Sequence, residues 1–94
     1  MTNGLVKIVV ADDSKPIREL VRVMMGALPD AAVCEAEDGR AAWRLVNDGR
    51  ADLLILDYEM EPINGVQVAR RLRDPKASPN PLIPILMISG YADL

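Results

Sequence analysis

Ninety-four residues suit one domain, and half of them are apolar against 27% charged, the balance of a folded globular chain. Fourteen acids against 11 bases leave a formal charge of -3, which gives no electrostatic reason to bind nucleic acid or an anionic membrane. Aromatics at 3%, with no Phe, argue against a base-stacking platform. A lone Cys rules out an internal disulfide, and the lack of His removes the usual general base, so any chemistry rests on carboxylates, hydroxyls and cations.

Leu5 to Val10 is a β-branched apolar run that stops at Asp12-Asp13, as a strand covered on both faces of a parallel sheet would. Ser14 is placed to cap the helix that follows, with Pro16 in its first turn. Ile17, Leu20, Val21, Met24 and Leu28 recur at helical spacing and predict the buried face, with Arg18, Glu19 and Arg22 on the opposite side. Pro29-Asp30 ends the helix.

Ala31 to Glu35 reads as a second strand holding Cys34 as a core thiol, and Glu37-Asp38-Gly39 as a turn. A second helix runs from Arg40 to Val46, with Trp43 partly against the sheet, and closes at Asn47-Asp48-Gly49. Leu53 to Leu56 is the purest buried strand and also ends on an acid, Asp57. After a loop from Met60 to Asn64, Gly65 to Arg73 forms a third helix with Val68, Ala69 and Leu72 inward and Arg70, Arg71 and Arg73 on a solvated face. Asp74 to Pro81, with three prolines in eight residues, predicts an irregular stretch, and Ile83 to Ile88 a fourth strand that leads to Ser89-Gly90. The methionines of the first helix, the Asp57 loop and the fourth strand read as gap-fillers in the core.

Strands alternating with helices need right-handed crossovers, so the expected fold is an α/β open parallel sheet with helices on both faces, one domain over residues 1–94. In such sheets ligands gather beyond the carboxyl ends of the strands. Asp12 and Asp13 stand at the end of the first strand, Asp57 at the third and Ser89 at the fourth. Three converging carboxylates repel, and at least one should have its pKa raised unless a cation intervenes. Oxygen ligands alone select a hard ion, Mg2+ above others.

Four segments in order carry a family resemblance: Val9-Val10-Ala11-Asp12-Asp13-Ser14, Leu53 through Met60, Asn64-Gly65, and Met87-Ile88-Ser89-Gly90. Together they resemble the receiver domain of two-component response regulators, a flavodoxin-like fold. The resemblance implies strand order 2-1-3-4 and assigns roles. Asp57 is the phosphoacceptor, Asp13 binds Mg2+ directly and Asp12 does so through water. Glu59 offers the metal its backbone carbonyl, and Ser89 is the switch hydroxyl. The implied donor is a phosphohistidine on a sensor histidine kinase or phosphotransfer protein.

The family pattern continues with a fourth helix, a fifth strand ending in a lysine, and a fifth helix, whereas this sequence stops at Tyr91-Ala92-Asp93-Leu94. Read as a truncated receiver, it is expected to accept phosphate weakly or not at all and to self-associate through an exposed fourth strand, edge to edge or by exchange of elements between copies. Two other functions compete: a chemically idle structural fragment, and an Mg2+-dependent phosphohydrolase suggested by Asp57-Tyr58-Glu59. With no apolar run near the roughly 18 residues of a membrane span, and no basic leader in Met1-Thr2-Asn3-Gly4, the expected location is the cytoplasm.

Overall fold

The computed structural model describes residues 5–89. The opening tetrapeptide, Gly90 and Tyr91, on which parts of the sequence reading fall, lie outside them. The elements are β1 (Val6–Ala11), α1 (Lys15–Gly26), β2 (Ala31–Ala36), α2 (Gly39–Gly49), β3 (Leu53–Asp57), α3 (Gly65–Arg73) and β4 (Ile85–Ile88). All four strands are parallel, as the apolar runs predict, and stand in the order β2-β1-β3-β4 that the family resemblance implies. Among the described residues no helix is long and apolar enough to cross a membrane.

The central strands are buried on both sides because alternate residues feed two cores. Val9, Ala11, Leu54 and Leu56 pack with Val46, Val68 and Leu72 under α2 and α3, whereas Ile8, Val10 and Ile55 meet Val21 and Met25 of α1. The helices are bounded by specific groups. Asp38 and Asn64 accept from the N–H groups of Ala41 and Gln67, and Gln67 returns a bond to the Asn64 N–H. Asp38 therefore caps α2 and Gly39 belongs to the helix, which is longer than the sequence reading placed it.

The predicted burial of α1 needs the largest correction. Val21 and Met25 face the sheet, while Ile17, Leu20, Met24 and Leu28 are exposed, Leu20 by 56%. Arg18, assigned to the outer side, is buried. Both Arg18 and Arg22 reach Glu35 on β2, which rotates the helix so that its other flank looks toward the β3–β4 half of the sheet. Leu86 on β4 is left 54% exposed.

Smaller differences have local causes. Ser14 makes no side-chain cap. Cys34 is half-buried rather than a core residue. Met60 does fill the core, but Met24 is exposed. Arg71 stacks over Trp43 at 4.2 Å, and Arg73 Nη1 donates to the carbonyls of Pro81 and Ile83, so two of the three arginines assigned to a solvated face hold structural partners. The irregular stretch after α3 is pinned through Arg73, through buried Ser78 on Asn47, and through Asn80 on the Ala51 carbonyl. Pro84 precedes β4 instead of lying within it, and its carbonyl takes the Leu54 N–H.

Candidate functional site

Parallel pairing in register brings the ends of β1 and β3 side by side, with Ala11 opposite Leu56, so Asp12 and Asp57 emerge together. Carboxylate oxygens of Asp12, Asp13 and Asp57 lie within 4.8 Å of one another. They line an open cleft of about 810 Å³ whose rim includes Tyr58, Glu59, Asn64 and Ser89. Asp12 and Asp57 are buried and Asp13 is exposed, so the group has one face toward solvent.

Burial pushes the Asp12 carboxyl above its usual range, and the charges of Asp57 and Asp13 and a hydrogen bond with Asp57 push the same way. The Ser14 N–H, donated to Asp12 Oδ1 at 2.8 Å, opposes them. The backbone enforces the arrangement. Asp12 N–H donates to the Ala36 carbonyl at 3.1 Å, its own carbonyl accepts from Arg18 Nη1 at 2.7 Å, and Asp57 Oδ1 accepts from the Glu59 N–H at 3.2 Å.

Of the residues singled out in sequence, Asp12, Asp13 and Asp57 form the cluster and Ser89 lies on the same cleft. Glu59 is exposed, and its carboxylate stays outside the acidic group; its main chain is what faces Asp57. A phosphohydrolase would need that carboxylate beside the nucleophile, so the geometry does not favour that alternative. Arg18 is the residue the sequence reading missed. Its available signal was Glu35, a charge at the end of an otherwise apolar strand that calls for a partner.

Residues 8–94 match the family described as the response regulator receiver domain. Over 89 residues the chain is 39% identical to a protein-glutamate methylesterase/protein-glutamine glutaminase of a Nocardioides species, covering 94% of this chain but 23% of that protein, under a quarter of its length. It is 33% identical over 91 residues to the chemotaxis protein CheY1 of Helicobacter pylori, covering 94% of this chain and 73% of that one. The N-terminal domain of a response regulator receiver protein from Methanoculleus marisnigri superposes with a TM-score of 0.79 at 30% identity, over 88% of this chain and 65% of that chain.

Proposed function

The chain belongs to the response regulator receiver domain family, and on that footing we propose that it accepts one phosphoryl group on Asp57 as a signalling switch. What supports this reading above all is the convergence of the Asp12, Asp13 and Asp57 oxygens at the open end of the sheet. Receiver domains bind Mg2+ at an acidic pocket, and an all-oxygen donor set in which the Asp12 carboxyl is raised by burial and by its neighbours' charge fits such an ion. Asp12, Asp13, Asp57 and the main-chain carbonyl of Glu59 would hold it. Once bound, Mg2+ supplies charge neutralisation for the carboxylates and the incoming phosphoryl oxygens.

The protein's own part is positioning. The Glu59 N–H fixes the rotation of the Asp57 carboxylate, one of whose oxygens bonds to phosphorus as the donor's bond to phosphorus breaks and its electron pair leaves with the donor. Receiver domains interact with histidine kinases or phosphotransfer proteins, so the proposed donor is a phosphohistidine and the leaving group its imidazole. Ser89, on the cleft wall, is the proposed hydrogen-bond donor to the new phosphoryl oxygens. The product is an acyl phosphate carrying about 1.5 to 2 added negative charges at one spot, a signal and not a turnover. We also read the chain as non-enzymatic and cytoplasmic, the latter on its single free cysteine.

Incubation with acetyl phosphate is expected to add one phosphoryl mass in Mg2+ and none in EDTA. No labelling in Mg2+, or labelling indifferent to EDTA, would overturn the proposal. Self-association is a second expectation. Among the described residues β4 pairs with β3 alone and stands at one edge of the sheet, and Leu82, which precedes it, is 89% exposed. We propose pairing of two copies along that strand. Light scattering should give a mass above the monomer that falls on dilution; a monomer at all micromolar concentrations would sink the idea.

A further inference from the structure

We infer that Arg18 is a positioning residue for the carboxylate pair, acting through the Asp12–Asp13 peptide; the inference rests on the reading of the cluster as an Mg2+ site. Arg18 stands in the first turns of α1 with its side chain 11% exposed. A guanidinium is costly to bury unless its donors are met, so its partners reveal what holds it there. Nη1 donates to the Asp12 carbonyl at 2.7 Å, and Nε donates to Glu35 Oε1 at 3.2 Å. Glu35 lies on β2 opposite Val10, and its second oxygen accepts from Arg22 at 3.4 Å.

Asp12 is therefore gripped at three points: its N–H by Ala36, its side chain by Ser14 and its carbonyl by Arg18. The third grip matters most for the cluster. The Asp12 carbonyl belongs to the planar peptide that leads into Asp13. Fixing the rotation of that plane sets the direction in which Asp13, exposed and beyond the end of β1, leaves the strand. The rigid fork of Arg18 spans a main-chain acceptor just past the end of β1 and a carboxylate on β2, which a lysine's single ammonium cannot do with the same geometry.

Calorimetric Mg2+ titration of the full chain separates this role from two others. Arg18→Met and Arg18→Lys are both expected to weaken Mg2+ by about tenfold or more, the usual effect of losing a group that orients a ligand. Arg22→Met removes a cation from the same glutamate without touching Asp12, its side chain being 62% exposed, and should leave the affinity unchanged. Wild-type affinity in Arg18→Lys would mean that charge alone matters and would overturn the inference, as would equal losses in Arg18→Met and Arg22→Met. Should Arg18→Met fail to fold, Arg18→Lys decides the matter, keeping charge and length. Urea unfolding in EDTA supplies the contrast: a purely structural arginine would lower metal-free stability and leave Mg2+ affinity intact. A wild-type chain that takes up no Mg2+ overturns the site reading and this inference together, whereas a wild type that binds and an Arg18→Lys that binds equally overturns the inference alone.

Discussion

Gly65→Ala is expected to destabilise the chain by about 2–3 kcal/mol and to weaken Mg2+ binding at the same time. Gly65 opens α3, and its N–H donates to the Tyr58 carbonyl at 3.0 Å, tying the helix directly to the segment that follows Asp57, the proposed phosphoacceptor. A Cβ there would run into the Asp57 carbonyl oxygen and meet the Asp57 carbonyl carbon and Tyr58 Cα at 3.1 Å. These are backbone atoms anchored by β3 pairing, so nothing can move aside cheaply; either α3 retreats or the end of β3 does. Retreat of β3 would carry Asp57 out of the cluster. The other glycines grade the effect. A Cβ on Gly39 meets side-chain atoms of Val68 and Ile63, the nearest at 2.8 Å, and should cost about 1 kcal/mol as they adjust. Gly26 has nothing within 4 Å, and Gly26→Ala should stabilise the last turn of α1 by up to about 1 kcal/mol. Urea denaturation of the three variants checks the ranking. Gly65→Ala as stable as wild type would mean that the tight approach of α3 to Asp57 does not exist.

The strands were readable because a parallel sheet covered on both faces leaves an unbroken apolar run such as Leu53–Leu56, with a polar residue wherever the chain exits toward the cleft. The acids could be grouped for the same reason. The strand order came from the family resemblance, since right-handed crossovers alone allow other orders, and the pairing of β1 with β3 is what brings their ends together. What sequence could not settle was rotation about a helix axis. Ile17, Leu20 and Met24 offer as apolar a face as Val21 and Met25, and spacing alone cannot choose between faces about 100° apart. The choice is made by Glu35 on β2, through two arginines from α1, an interaction between residues distant in the chain. Arg18 was hidden by that same ambiguity, since an arginine on a helix is solvated far more often than buried. The extent of α2 was missed because Glu37-Asp38-Gly39 fits a turn as well as a cap and first helical residue, and only the Ala41 N–H on Asp38 Oδ1 distinguishes them.

Asp12→Asn is expected to change stability in opposite directions with and without Mg2+, and Asp57→Asn to lose phosphoryl labelling altogether. In EDTA the Asp12 carboxyl, raised by burial and by its acidic neighbours, keeps its proton to higher pH in the folded chain than in the unfolded one. From the ordinary value of 3.8 up to the raised one, the native state therefore binds more protons, so stability falls as pH rises through that window. Above it the penalty is fully present. Asparagine removes the penalty, so Asp12→Asn in EDTA at neutral pH should be more stable than wild type and show a shallower decline across the same window. With Mg2+ the order reverses: wild type gains about 2.7 kcal/mol at a hundredfold excess over Kd, while a variant short of one charged ligand gains little. Asp57→Asn, having no carboxylate oxygen to bond phosphorus, should give no labelled product from acetyl phosphate. Thermal unfolding with and without Mg2+ reads the crossing, and intact mass reads the labelling. If Asp12→Asn is less stable than wild type in EDTA, the three acids do not strain one another; if Asp57→Asn still takes the phosphoryl group, the acceptor lies elsewhere.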